Sequence, residues 1–353
     1  MHIFDYSFLK DDLLPAQLIN LTSNIYALRV MSDIRKKEND TAFKELEALA
    51  KIESVKASNA IEGIISTDAR IREIVQNRSA PLNHTEAEIA GYRDVLNEIH
   101  QHPEMYDFNE RDIKRFHAMM MRLADPEADG AYKTEDNVIA ERMPDGRRVV
   151  RFTPTSAADT PDEMQQLVLA YQEARDDNSI NKLLLIPCVI LDFLCIHPFN
   201  DGNGRMSRLL TLLLLYRAGY IVGKYISIEK LIEISKDTYY EALQDSSKGW
   251  HEEKNDYEPF VKYMLGVVVN AYKDFSSRVW MLTTSNLSKP ERVREVIRET
   301  LGTITKADIL KKCPDISQIT IQRALAEMVN KEEIIKIGGG RYTKYTWNWE
   351  RDE

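Results

Sequence analysis

His197-Pro198-Phe199-Asn200-Asp201-Gly202-Asn203-Gly204-Arg205-Met206-Ser207-Arg208 sets a base, a carboxylate, two glycines and two arginines within twelve residues. Each type suits one task in phosphate chemistry. An imidazole, with an ordinary pKa of about 6.5, can take a proton from an alcohol near neutral pH. The carboxylate of Asp201 is a hard oxygen ligand of the kind Mg2+ prefers. Glycines at 202 and 204 free the backbone to turn N–H groups inward as a nest for anions. Arg205 and Arg208 lie three apart, on one face of a helical turn, where guanidinium groups can neutralise phosphate oxygens. The combination suits holding a nucleotide polyphosphate and deprotonating a group beside it.

Two helices must position this segment. Residues 181–196 (NKLLLIPCVILDFLCI) are apolar almost all round, which predicts a helix buried inside its domain. Pro198 disfavours helical geometry at His197, so the helix should stop there and release the imidazole at its end. A second apolar run, RMSRLLTLLLLYRAG, begins after Gly204 and predicts another helix. Its N-terminus points partial positive charge and unpaired N–H groups at the glycine loop.

HPFNDGNGRMSR matches every fixed position of the signature H-x-F-x-D/E-G-N-G-R-x-x-R, and over residues ~40 to ~275 the chain resembles the Fic family. The resemblance implies a mainly α fold, a Fic-type helical core with a β-hairpin flap. It also implies transfer of AMP from ATP, with Mg2+, to a Tyr, Thr or Ser hydroxyl of a target protein. On that reading His197 is the general base and Asp201 holds the metal. Backbone N–H groups of Gly202, Asn203 and Gly204, with the Asn203 side chain, stabilise charge on the α-phosphate. Arg205 and Arg208 neutralise the β- and γ-phosphates, and Phe199 anchors the loop in the core. Tyr239-Tyr240-Glu241-Ala242-Leu243 matches a stretch that in the family lies near the adenine and ribose, which makes Tyr239 and Tyr240 candidate nucleotide contacts.

Upstream, Ser58-Asn59-Ala60-Ile61-Glu62-Gly63 resembles the inhibitory S/T-x-x-x-E/D-G/N motif of many Fic proteins. The preceding FKELEALAKIESVKASNAIEG has helical spacing and ends in glycine, so Ser58 and Glu62 should share a face in its last turns. The resemblance pairs Glu62 with Arg208. A guanidinium fork grips a carboxylate or a phosphate but not both well, so the pair would act as a brake. Residues 136–152 (DNVIAERMPDGRRVVRF) carry a Pro144-Asp145-Gly146 turn between short apolar runs and predict a hairpin. In the family such a flap aligns an extended target segment by strand addition, here through Val138, Ile139 and Ala140. Its lead-in, Gly130-Ala131-Tyr132-Lys133-Thr134, has Lys133 where arginine is common, and Ala140 stands where glycine is.

The chain's 353 residues can bury a substantial core in more than one domain. We expect an N-terminal helical region over 1–100 that includes the inhibitory helix and a charged SDIRKKEND turn. A Fic core over 101–275 and a small winged-helix (α+β) domain over 285–353 should follow. In the last part REVIRETLGT, TKADILKKC and SQITIQRALAEMVNK read as helices, and KEEIIKIGGGRYTKYTW as two β-rich runs around glycines. Residues 289–353 hold 13 basic and 11 acidic residues, and the third helix offers only Arg323 and Lys331 as cations. That favours protein contacts or self-association, a homodimer included, over DNA. A net charge of −9 argues against nonspecific nucleic-acid binding by the whole chain. Cys188, Cys195 and Cys313 form no disulfide or zinc pattern. No apolar run is long enough to span a membrane, and the acidic MHIFDYSFLKDD does not resemble a signal peptide, so a cytoplasmic protein is expected.

Three function classes follow: an ATP-dependent protein adenylyltransferase with a built-in brake; the same site removing AMP, with Glu62 positioning a water; and a DNA-binding regulator whose Fic body senses nucleotide.

Overall fold

The computed structural model describes residues 2–11, 14–38, 40–142, 148–284, 287–298, 300, 302–313, 315–340 and 343–348. Fifteen α-helices and five short strands occur among them. Two compact units divide the chain, Met1–Ser277 and Arg278–Glu353.

The first unit opens with α1 (Phe8–Asp11), α2 (Ala16–Glu38), α3 (Asp40–Ile61), α4 (Asp68–Asn77), α5 (His84–Gln101) and α6 (Glu110–Met121). A hairpin of β1 (Ile139–Arg142) and β2 (Arg148–Phe152) follows. Then come α7 (Thr160–Asp176), α8 (Lys182–Ile196), α9 (Asn203–Arg217), α10 (Ile228–Ile234), α11 (Lys236–Ser247) and α12 (Glu258–Thr284), whose last turns belong to the second unit. The charged 32–40 stretch was expected to turn, but α2 stays helical through Glu38. Lysine, arginine and glutamate are good helix formers, so charge alone does not break the pattern.

The apolar runs of α8 and α9 have the consequence they should. In each, 13 of 15 residues are buried, and the two helices pack on one another. Around them, α7 covers α8, while α3, α5 and α6 cover α9. Asn181 caps α8, its side chain accepting the Leu183 N–H at 3.0 Å. Asp192 is fully buried in α8 and accepts from Tyr6 Oη (2.7 Å), Trp250 Nε1 (2.8 Å) and Tyr257 Oη (3.0 Å). Those neutral donors tie the chain's first residues to the core helix that ends at His197. No described helix is long and apolar enough to cross a membrane.

In the hairpin β1 pairs antiparallel with β2, Ile139 opposite Phe152 and Ala140 opposite Val150, with an irregularity between 139 and 140. The expected Pro144-Asp145-Gly146 turn lies outside the described residues.

The second unit holds α13 (Lys289–Arg298), β3 (Ile304–Thr305), α14 (Lys306–Lys312), α15 (Gln318–Asn330), β4 (Ile334–Ile337) and β5 (Lys344–Trp347). Its strands form an antiparallel sheet in the order β3-β5-β4. Val293, Ile297, Ile309, Ile321, Leu325 and Trp347 lie in its separate core. The sequence pattern foresaw the second and third helices and the later strands, but set the first over 294–303 where the helix runs Lys289–Arg298. It missed β3, which is two residues long and doubles as a helix cap: Thr305 and Asp308 form a reciprocal capping box.

Candidate functional site

His197 follows directly on the last helical residue of α8, Ile196. It is the C-cap of α8 and adopts φ 53°, ψ 60°. That left-handed conformation costs a residue with a Cβ about 1–2 kcal/mol, so neighbours must hold it. The His197 N–H donates to Phe193 O at 2.9 Å. On either side of it, Lys133 Nζ donates to Ile196 O at 3.0 Å, and the Lys133 N–H donates to Pro198 O at 2.8 Å. The half-buried ring has its pKa pulled down to about 4, by burial first and then by the Lys133 charge. The Leu194 carbonyl and the carboxylates of Glu62 and Asp201 act the other way. At neutral pH the imidazole is uncharged and able to accept a proton. It is a weaker base here than the ordinary value taken from the sequence, because water has been removed from around it.

The loop after His197 is braced from below. Phe199 is fully buried, and the His117 ring of α6 stacks on it with centroids 3.7 Å apart and planes 4° from parallel. His117 Nε2 lies 3.0 Å from Asp201 O, a distance at which it donates if that nitrogen carries the proton. Burial lowers the His117 pKa, which favours that neutral donor form. Gly202 sits at φ 80°, and a Cβ there would come within 2.7 Å of Met120 Cε. Asn203 accepts the Phe199 N–H at 3.0 Å and donates to Phe199 O at 2.7 Å. Both polar atoms of its amide therefore shape the loop, where the sequence reading assigned the side chain to a phosphate.

Asp201 keeps a side chain 71% exposed, with Oδ1 accepting the Gly202 N–H at 2.6 Å. No group of three or more His, Cys, Asp or Glu residues converges as a metal cage among the described residues. One exposed carboxylate fits an ion that keeps several waters and takes its other ligands from phosphates, as Mg2+ does.

The two arginines separate. Arg205 is 1% exposed and pairs with Glu88 Oε1 of α5 at 3.0 Å, with Asp201 Oδ2 3.5 Å away. Arg208 turns to α3: Nε donates to Ser58 Oγ at 2.8 Å, and Nη2 to Ser58 O at 2.9 Å and Glu62 Oε1 at 2.8 Å. Burial alone would lower the Arg208 pKa, but the Glu62 carboxylate and nearby Tyr239 and Tyr92 raise it overall. The guanidinium stays charged.

Glu62 reaches this position because α3 ends in a Schellman motif. The Ile64 N–H donates to Asn59 O and the Gly63 N–H to Ala60 O, with Gly63 at φ 82°. Lys236 Nζ at the start of α11 caps Ile61 O at 2.7 Å. The Glu62 carboxylate lies so close to Gly204 that a Cβ there would collide with Oε1. An anionic oxygen therefore already sits against the first turn of α9, where a helix N-terminus attracts anions. Farther up α3, buried Glu229 accepts from Ser54 Oγ (2.8 Å) and Tyr92 Oη (2.9 Å), fixing the helix to α5 and α10.

Tyr239 is buried beside Arg208, and burial raises its pKa. Tyr240 is 44% exposed, with Lys236 Nζ 5.7 Å from its ring centre. Val138, 45% exposed, precedes β1, and Ile139 and Ala140 open that strand half-buried. The structure thus brings His197, Asp201, Gly202, Gly204, Arg208, Ser58, Glu62 and Tyr239 to one neighbourhood; the Asn203 amide bonds within the loop, and Arg205 bonds Glu88 through Nη2 while its buried Nε and Nη1 make no hydrogen bond among the described residues. Sequence reasoning missed His117, Glu88 and Glu229. Each is a single polar residue on a helix of ordinary pattern, and nothing local marks it.

Residues 107–215 match the Fic/DOC family. Over those residues the chain is similar to that family. Protein adenylyltransferase Fic of Drosophila erecta is 24% identical over 276 residues, which is 73% of this chain and 50% of that protein. The chain therefore spans about half the length of that relative. A Fic family protein from Desulfovibrio desulfuricans shares the fold with a TM-score of 0.64 at 21% identity, covering 96% of this chain and 97% of that one. A Fic domain containing signalling protein from Bacteroides thetaiotaomicron gives 0.60 at 21% identity, over 78% of this chain and 99% of its own. The mainly helical Fic fold expected from the twelve-residue segment is the fold observed.

Proposed function

We propose that this chain is a protein adenylyltransferase held slow by its own Glu62. The observation that carries the reading is the Glu62 carboxylate bound to Arg208 against Gly204, on the anion-ready end of the helix that follows His197. A triphosphate would enter by replacing that carboxylate on Arg208. The neutral His197 ring takes the proton of a target Tyr, Thr or Ser hydroxyl as its oxygen attacks the α-phosphorus of ATP. The new O–P bond forms as the bond to the β-phosphate oxygen breaks, and pyrophosphate leaves. Backbone N–H groups of Asn203 and Gly204 would face the charge that develops, and that of Gly202 would join them once Asp201 Oδ1, which it meets at 2.6 Å, turns to the metal. Mg2+, held by Asp201 and phosphate oxygens, would supply charge neutralisation. Arg208 would carry the terminal phosphates, and Arg205, paired with Glu88 through Nη2, has Nε and Nη1 left to meet a phosphate oxygen. Tyr239 and Tyr240 lie near Arg208 and Glu62, where they could contact the nucleoside.

Two strands alone make up the hairpin sheet among the described residues, so its free edges at Val138, Ile139 and Ala140 can take an extended target segment. The unit after residue 277 we read as a winged helix used for protein contact or self-association, since 13 basic against 11 acidic residues in 289–353 leave little charge for DNA.

One observation favours a second reading, removal of AMP by the same site. Glu62 binds Arg208 through Oε1, and no hydrogen bond to its Oε2 is formed among the described residues. That oxygen could orient a water toward a phosphorus.

Labelled ATP with Mg2+ tests both readings. Glu62→Gly should label protein, and the double variant with His197→Ala should not, while still binding ATP. Equal labelling by the double variant would remove His197 from the base role. Label released faster by wild type than by Glu62→Gly from a modified target would favour the second reading.

A further inference from the structure

Lys133 is 3% exposed, and both its N–H and its Nζ are engaged around the histidine turn. Its N–H donates to Pro198 O at 2.8 Å, and Nζ donates to Ile196 O and to Asn137 Oδ1, both at 3.0 Å. Asn137 Nδ2 in turn donates to Phe199 O at 3.2 Å. One lysine and its asparagine thus hold the carbonyls of residues 196, 198 and 199, with left-handed His197 between them. Ile196 O is one of the carbonyls that the end of α8 leaves without an intrahelical partner, and a cation there is favourable.

We propose that Lys133 is a positioning residue for His197: it clamps the carbonyls on both sides of the histidine and keeps a positive charge beside the ring. This deepens the reading of His197 as base and rests on it for its catalytic meaning.

The clamp and the charge have separable effects. Holding residues 196 and 198 fixes the backbone in a conformation the histidine would not choose by itself, and so fixes where the imidazole stands. A misplacement of about 1 Å in a reacting group can cost about 100-fold in rate. The charge disfavours the imidazolium, keeping the ring free to accept a proton. His197 is faced by Lys133 from the segment before β1, by Glu62 from the end of α3, by Asp201 from its own loop and by the Leu194 carbonyl of α8. Lys133 is the one cation in that set. Its own pKa is lowered to about 8 by burial, with Asp136 and Glu163 opposing, so the charge is present at neutral pH and is lost above it.

The test uses the full chain with Lys133→Met, Lys133→Gln and Lys133→Arg, each in wild type and in Glu62→Gly. NMR titration of the His197 ring, assigned by comparison with His197→Gln, reads the charge without reference to activity. In the methionine and glutamine variants its midpoint should rise by about half to one pH unit, and in the arginine variant it should stay in place. Transfer from labelled ATP in the Glu62→Gly background reads the clamp. The kcat of Lys133→Met should fall about 10- to 100-fold with KM for ATP within about twofold, whereas Lys133→Gln, which keeps an N–H donor on its side chain, should lose less. If Lys133→Met does not fold, glutamine and arginine still carry the comparison. An unmoved His197 midpoint in both uncharged variants overturns the charge claim, and an unchanged kcat overturns the clamp. Should His197→Gln itself transfer AMP at full rate, the base reading fails while the NMR result still stands.

Discussion

Replacing Glu62 should release the site, and the structure sets the size of the release. Arg208 meets Glu62 Oε1 at 2.8 Å, while the same guanidinium donates to Ser58 Oγ at 2.8 Å and Ser58 O at 2.9 Å. Glu62→Gly leaves the Ser58 contacts, so Arg208 stays oriented and loses only its anionic partner. A hydrogen bond to a charged group contributes about 1.5–3 kcal/mol, and a neutral one about 0.5–1.5 kcal/mol. An entering phosphate must displace that bond. Removing it should raise the transfer rate about 10- to 150-fold, at about 1.4 kcal/mol per decade. Glu62→Gln keeps the shape and removes the carboxylate charge but leaves a hydrogen bond from the charged guanidinium, so it should recover about half of that free energy, roughly a 3- to 12-fold gain. Initial rates with labelled ATP, and titration calorimetry with a non-hydrolysable analogue, give both numbers. The expected order is wild type, then glutamine, then glycine. Glutamine at the wild-type rate would mean that bulk against Gly204, not charge, blocks the site. No acceleration in either variant would refute the competition outright.

The buried titratable groups make further claims. His100 is 2% exposed and held uncharged, its pKa pulled down to about 3 by burial and then by Lys51 and Lys224. The unfolded chain binds this proton between about pH 3 and 6.5 and the folded one does not, so stability rises with pH through that window. From pH 7 to pH 5 the wild type should lose about 2 kcal/mol more than His100→Gln, measured by urea unfolding at both pH values. Asp192 has the opposite sign: burial raises its pKa to about 6, so the folded chain holds a proton that the unfolded one releases, and stability falls as pH rises from about 4 to 6. Asp192→Asn should stay within about 1 kcal/mol of wild type at pH 7, while Asp192→Ala, which strands the Tyr6, Trp250 and Tyr257 donors, should lose about 3 kcal/mol or more in the same assay. His117→Phe keeps a ring on Phe199 but cannot reach Asp201 O; it should cost about 1 kcal/mol in thermal unfolding yet slow transfer in the Glu62→Gly background by about 10-fold or more.

How far the site was legible follows from which interactions are local. The stop at Pro198, the glycine loop and the onset of α9 depend on neighbours along the chain, and each lies where the residue types put it. The left-handed state of His197 does not follow from Pro198, which only forbids the helix; it needs Lys133, 64 positions earlier in sequence, to hold residues 196 and 198. Arg205 and Arg208 show the same limit. Three-residue spacing puts both on neighbouring positions of the first turn, but long side chains reach whatever lies opposite: Glu88 on α5 for one, Ser58 and Glu62 on α3 for the other. The consequence is functional. A guanidinium paired inside the core with Glu88 cannot leave without stranding a buried carboxylate, which is costly. One paired with Glu62, whose side chain is 33% exposed, can exchange its partner for a phosphate while the displaced carboxylate goes to water. On the proposed reading, of two arginines that look alike in the sequence, Arg208 is the one whose anionic partner can be released to water.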